Sequence, residues 1–431
     1  MKPANAPLLL TNAVCLDPSS GTEQSGGVLV IDGKIAALGS DAQNQGAPDG
    51  ATLVDCGGKY VAPGLIDILV DVGEPGGEHR ETLSTASQAA LAGGITTLVT
   101  TPDSDPVIDD PSLVDFLNRR ARDTADVRVY PLAALTREQA GTHLSEFGLI
   151  LEAGAVGFSS GQRAVTNAQV MRNALSYARD FDAVVCHHTE DPDLVGAGVV
   201  NEGGMAQRLG LPGIPSVAET VMIDRDLRLV ELTGARYHAQ QLSTAASVEA
   251  IRRAKHKGLP VTAGVSVNHL SLNELDVGSY RTFFRMSPPL RHENDRQALI
   301  EGLADGTIDT VFSAHNPQDV EGKRHPFADT EPGAVGLETA FAAAMRLVHS
   351  GDISLSILLR AMSQGPAQLC GLEGGKLGVG TPADLMVFDP ELPWVVSADK
   401  LLSKSKNTAF EDARMTGKVI HTVVAGQLFS A

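Results

Sequence analysis

The sequence predicts an α/β protein: a (β/α)8 TIM-like barrel accompanied by a small β-sandwich that both chain ends build. Three observations lead there. Between Pro63 and about residue 365, eight short apolar runs alternate with amphipathic helical stretches, the pattern of repeated parallel βα units. Both ends show strand texture without such helices. The length of 431 residues exceeds an ordinary domain of roughly 100–200 residues but suits a barrel of about 250 plus a smaller module.

The first sixty residues read as strands. LLLTNAVCLD, GGVLVIDGKIAALG and ATLVDCGGKYVAPG are apolar runs broken by Gly, Asp and Asn. Within them Ile31–Ile35 (IDGKI) signals a hairpin, because Asp-Gly supplies the positive φ angles of a type I′ turn. The barrel runs follow at 65–72, 94–101, 127–135, 155–160, 182–188, 236–243, 259–266 and 309–315. Helical stretches such as SLVDFLNRRARD and SVEAIRRAKHKG separate them. The tail returns to strands in GKLGVGTPADLMVFDP (375–390) and KVIHTVVAGQLFSA (418–431). Residues 1–62 and 366–431 are therefore expected to form the composite sandwich, and 63–365 the barrel. The Gly/Pro-rich segments 73–78 and 194–215 read as mobile loops.

The chain carries a formal net charge of −18. A field of that sign repels phosphate backbones, so nucleic-acid binding is not expected. Cys15, Cys56, Cys186 and Cys370 lie far apart without a CxxC pair, which suits a reducing cytoplasm. The N-terminus reads as a strand rather than a signal peptide. No run approaches the ~18 apolar residues of a membrane helix.

Barrel chemistry sits at the C-terminal ends of the strands. The first such end is APGLIDILVDVGEPG, and later come VVCHHTED, RYHAQQLST, RMSPPLR, FSAHNPQD, the GLET loop and the KSKN tail. Together these resemble the dihydroorotases, cyclic amidohydrolases with a barrel of the amidohydrolase type, and the likeness covers nearly the whole chain. Family members carry Gly-x-Ile-Asp-x-His-x-His on the first strand. The two His bind zinc, since alternation puts both imidazoles on one face. This chain keeps Gly64, Ile66, Asp67, Pro75 and Gly76. Leu69 and Asp71 stand at the His positions, and Gly73 at that of a substrate-binding Arg.

The same comparison runs through the other strand ends. Asp103 replaces a substrate-contacting Asn, and Ser159, Ser160 and Gly161 occupy the place of a bridging zinc ligand. His188 matches a retained ligand, while His187 faces the opposite side of its strand. Gln241 replaces a second ligating His, and Ser287 a substrate-binding Asn before Pro288, Pro289, Leu290 and Arg291, which read as a rigid turn. Ala314 takes the place of the Asp that touches metal and moves the proton ring opening requires. His315 and His269 remain, and Gln318 replaces a substrate-holding His.

The resemblance therefore implies no catalytic residue, no substrate site and no cofactor. Asp71 and His188 are remnants of a metal site, because a hydrolytic zinc needs about three protein ligands. The expectation is a chain that is not an enzyme: a cytoplasmic, non-catalytic dihydroorotase-like subunit of pyrimidine biosynthesis. It would be a homodimer within a hetero-oligomer, supporting the assembly or activity of aspartate carbamoyltransferase. The alternatives are a metal-dependent cyclic amidohydrolase with a remodelled site, using Asp71, His188 and His315, and a metabolite-sensing barrel.

Overall fold

The computed structural model describes residues 6–430; the first five residues of the expected N-terminal strand segment lie outside them. Strands β1 (Leu8–Asp17), β2 (Thr22–Ile31) and β3 (Lys34–Leu38) form an antiparallel ladder. Asp32 and Gly33 turn the hairpin with φ of 50° and 72°, the type I′ geometry expected of Asp-Gly. Helix α1 (Gly39–Gln45) and strands β4 (Thr52–Asp55) and β5 (Tyr60–Pro63) follow. Period-2 alternation sorts the side chains. Leu8, Leu10, Val28 and Val30 enter one core, whereas Leu9, Leu29 and Ala37 pack on the other face against Ala42 of α1.

The barrel strands are β6 (Leu65–Val70), β7 (Ile95–Thr100), β8 (Arg128–Pro131) with its continuation β9 (Ala133–Ala134), β10 (Phe158–Ser159) and β11 (Val185–His187). A short parallel pair, β12 (Val200–Asn201) and β13 (Gly213–Ile214), is inserted before β14 (Tyr237–Ala239), β15 (Val261–Ser266) and β16 (Thr310–Phe312). Each of the eight predicted runs carries a strand, and the strands pair in parallel in chain order. Val70 pairs with His315 to bring the last strand back to the first. Asp67 secures that seam, accepting from the backbone N–H groups of Leu69 at 3.2 Å and Ser313 at 2.9 Å.

The outer helices are α2 (Leu83–Ala92), α3 (Pro111–Thr124), α4 (Phe147–Glu152), α5 (Ala168–Arg179), α6 (Pro192–Val195), α7 (Gly204–Leu209), α8 (Val217–Thr233) and α9 (Ala245–His256). After them come α10 (Val267–Ser271), α11 (Glu293–Ala304), α12 (Val320–Arg324), α13 (Ala340–His349), α14 (Leu355–Leu359) and α15 (Gly365–Cys370). Their starts follow from local chemistry. Thr82 and Thr85 form a reciprocal capping box, Asp110 caps α3 ahead of Pro111, and Asn167 and Thr244 cap α5 and α9. Segment 194–215, expected as a loop, holds α7, β12 and β13. None of these helices is long and apolar enough to cross a membrane.

The last strands are β17 (Leu385–Val395), β18 (Arg414–Val424) and β19 (Gln427–Ser430). β17 pairs with β5, so the sandwich expected from the chain ends is one continuous eight-stranded sheet. It curls back on itself: Ile35 N–H donates to Thr381 O at 3.0 Å and Ala383 N–H to Gly33 O at 2.8 Å. Met386, Phe388 and Val419 of the sheet enter the barrel's apolar core. The half-buried Arg128 pairs with Asp384 at 2.6 Å across the join.

The barrel interior leaves little spare volume. A Cβ at Gly264 would lie 2.6 Å from the Phe312 ring, 2.7 Å from Thr310 Oγ1 and 2.9 Å from Gln240 O. Gly264→Ala should therefore cost about 1–3 kcal/mol of stability through overpacking, read as a lowered midpoint in urea unfolding followed by circular dichroism.

Candidate functional site

The C-terminal ends of the barrel strands surround a narrow cavity of about 50 Å³, lined by Leu69, Asp71, His188, Gln241, His269 and Ala314 among others. It opens into a vestibule of about 660 Å³ whose wall includes Asp71, Arg80, Asp103, Gln139 and Gln318. Eight of the sequence-predicted positions thus share one mouth: Leu69, Asp71, His188, Gln241, Ser287 and Ala314 in the cavity, with Asp103 and Gln318 in the vestibule. Ser160 sits behind the cavity wall, where its hydroxyl accepts from His188 N–H at 2.9 Å.

Strand alternation separates the two neighbouring histidines. His188 lines the cavity, with Nε2 3.2 Å from Glu190. His187 points outward, where Nδ1 meets Asp226 of α8 at 2.7 Å and Nε2 accepts from Val165 N–H at 2.9 Å. Tyr237 and Arg225 complete that buried network. Its wiring is structural, since every polar group finds a partner away from the mouth.

The other retained residues are also committed. His269 Nε2 lies 3.1 Å from Pro288 O, while Nδ1 faces Ser266 Oγ at 2.8 Å and Gln241 Nε2 at 3.2 Å. That arrangement suits a neutral ring donating from Nε2, and burial holds its pKa down to about 4. Gln241, at a ligand position, is thus a hydrogen-bond partner of His269. Arg291 is buried and donates to Ser243 Oγ, Asn201 Oδ1 and Ile214 O at 2.8–3.1 Å. It fastens the inserted β12–β13 pair to the barrel, which deepens the rigid-turn reading of its segment. His315 Nδ1 accepts from Gly336 N–H at 3.2 Å, and its Nε2 lies 3.4 Å from Glu81. Gln318 donates to Asn316 at 2.7 Å.

Two positions carry information that residue matching missed. Gly73 has φ +66°, and a Cβ there would meet Gly77 O at 2.6 Å, so the turn after β6 demands glycine. Ala314 has φ +52°, a region Asp and Asn tolerate better than Ala. The backbone at the end of β16 keeps a bend suited to the residue type that Ala replaces. Glu190 was also missed. It is buried, receives Ser287 Oγ at 2.9 Å and stands beside His188 and Arg291. Burial would raise its carboxyl, but His188, Arg291 and Ser287 outweigh that and hold it below the usual range.

Asp71 behaves oppositely. It is 5% exposed. Burial pushes its carboxyl up to about 6, with Asp103 adding to the shift and Arg80 and the Gly73 N–H opposing it. Asp103 accepts from Gln139 and from Gln162 N–H, both at 3.0 Å. The mouth thus holds one carboxyl raised to about 6, with the side chain of Asp103 contributing to that shift.

The family's zinc can be tested against these side chains. Leu69 and Ala314 carry no donor, Ser160 and Gln241 are engaged in hydrogen bonds, and His188 faces Glu190. Among the described residues no group of three His, Cys, Asp or Glu side chains could hold a metal ion. The residues do not fit a hydrolytic zinc.

Barrel, curled sheet and mouth together define an amidohydrolase-type protein. The family model of dihydro-orotase-like proteins matches residues 58–247, and that of the amidohydrolase family matches 333–429. The dihydroorotase of Anaeromyxobacter sp. (strain K) is 42% identical over 98% of this chain and 97% of its own length. That of Syntrophotalea carbinolica is 39% identical, covering 98% of both. Among solved structures, the L-hydantoinase (dihydropyrimidinase) of Arthrobacter aurescens superimposes with a TM-score of 0.87 at 26% identity, covering 98% of this chain and 96% of its own. The chain belongs to the dihydroorotase family.

That kinship corrects one expectation. Missing ligands suggested a chain that is not an enzyme, yet full-length relatives at 39–42% identity are dihydroorotases, and dihydroorotase is an enzyme. The physical reason is that the mouth does not consist of its lost ligands alone: Glu190 stands beside His188, and Asp71 has a raised pKa.

Two outcomes follow. The Asp71 carboxyl, ordinarily titrating at 3.8, does so at about 6 when folded. The folded state therefore holds the extra proton between those values, and stability falls as pH rises through that window. Asp71→Asn should be more stable than the native chain at pH 7.5, by up to about 3 kcal/mol, and the gain should shrink at pH 5; urea titrations at both pH values check this. Elemental analysis of protein purified without chelator should find zinc well below one equivalent per chain.

Proposed function

We propose that the chain works in pyrimidine biosynthesis as a dihydroorotase-family subunit that binds aspartate carbamoyltransferase, the preceding enzyme of the pathway, and supports its assembly or activity. The particle would combine trimers of the transferase with dimers of this chain. The observation that carries the reading is the fate of the buried polar groups around the mouth. Glu81, Arg291, His269 and His315 each tie separate chain segments together. Surface loops held in this way meet a partner without a large ordering cost.

A second reading draws on Asp71: turnover of a cyclic amide at the mouth. Asp71, with its raised pKa, lines the mouth together with His188, which stands beside Glu190, and carboxyl and imidazole groups of this kind can carry a proton.

Co-expression with aspartate carbamoyltransferase separates the outcomes. The expected result is a co-eluting particle, larger than either component by light scattering, with altered transferase rate. An unchanged transferase in both size and rate would sink the partner reading. Dihydroorotate hydrolysis measured on the same particle, with Asp71→Asn as control, decides the second.

A further inference from the structure

Far from the barrel mouth, a groove of about 450 Å³ runs along the seam between α2, α13 and the β17–β18 hairpin. Its floor is apolar: Phe341 and Ala342 from α13, Val419 from β18, Leu401, and the ring of Trp394. The Trp394 indole N–H is fixed by Gly417 O at 3.0 Å, which leaves the ring's carbon surface to the groove. Val395 and Leu402 line it while 55% and 47% exposed. Large apolar side chains converging on one concavity are unlike the singly scattered ones that need no explanation.

The rim has the opposite sign to the molecule. On a chain of net charge −18, the charged groups lining this groove are Lys400, Lys418 and Glu338. Glu338 is occupied, accepting the backbone N–H groups of Leu402 and Ser403 at 2.8–3.1 Å. Neither lysine ammonium has an ion-pair or hydrogen-bond partner among the described residues. Asp389, the cross-strand neighbour of Lys418, accepts from Glu391 N–H instead. Phe341 and Ala342 lie in the first turn of the ten-residue α13, whose positive dipole end adds to the same field.

The structure assigns this groove to an amphipathic organic anion, a carboxylate with an aliphatic or aromatic body, its head between Lys400 and Lys418 and its body over Trp394 and Phe341. The volume falls in the range of small-ligand pockets, roughly 300–1,000 Å³. A second copy of this chain fits less well, because a two-fold pairing of the groove with itself would set the lysines against each other. This assignment is independent of the proposed transferase partnership.

Trp394 is the chain's one tryptophan, so emission reports the groove alone. The full chain is titrated with octanoate, and with octanol as the uncharged counterpart. Octanoate should change Trp394 emission saturably, with a Kd on the order of 0.1–1 mM. Octanol, and octanoate on the Lys400→Glu/Lys418→Glu variant, should bind about tenfold more weakly. Both lysines are exposed, so the variant's unchanged circular dichroism and melting confirm its fold. No saturable change with octanoate, equal affinity for octanol, or indifference to charge reversal would each overturn the assignment.

Discussion

The carboxylate of Glu81 is fully buried, and four parts of the chain converge on it. It accepts from the Ser403 hydroxyl, from the Lys404 backbone N–H at 3.0 Å and from the Thr85 hydroxyl, and it faces His315 at 3.4 Å. Burial alone would raise its pKa, but these donors bring it down to about 2, so it is an anion at any working pH. One charge thus joins the turn after β6, the start of α2, the end of β16 and the C-terminal tail. The cavity's shape depends on that convergence, because Asp71, Ala314 and His315 all hang from segments it fixes. A buried charge with several donors is costly to strip of them, and this makes the junction cooperative rather than a sum of separate contacts.

The same economy runs through the rest of the mouth. Glu219, at 0% exposure, receives the backbone N–H groups of Ser243 and Thr244 and both their hydroxyls. Arg291 does for the β12–β13 insertion what Glu81 does for the tail. Polar residues inside this barrel mostly act as fasteners. Asp71 reaches no distant segment: among the described residues its carboxyl accepts only from Gly73 N–H two residues on, and its raised pKa reports burial, with Asp103 adding to the shift.

The barrel and the chain-end sheet were legible because their signals are local. Period-2 alternation, Asp-Gly at 32–33 and the caps at Thr82, Asp110, Asn167 and Thr244 all act within a few residues. Alternation also separated His187 from His188. What escaped the sequence depends on how the chain closes in three dimensions. The crowding of Gly73 by Gly77 O follows from the closure of their turn, and nothing near Arg291 names Ile214, 77 positions away, as its acceptor. The groove at Trp394 joins residues from 92 to 419. The lost ligand positions are local signals too, and they pointed away from catalysis, whereas kinship along the whole chain places the protein among the dihydroorotases.

The pairing of β5 with β17 has a consequence for how the protein is made. The first five strands leave the ribosome early, yet the edge offered by Tyr60–Pro63 stays open until Leu385–Phe388 has been synthesised. More than three hundred residues, the entire barrel among them, emerge in the interval. An uncovered apolar strand edge is a template for wrong pairings. Translation therefore imposes a waiting period, and a chain cut short before residue 385 would lose part of the sheet that its own beginning started.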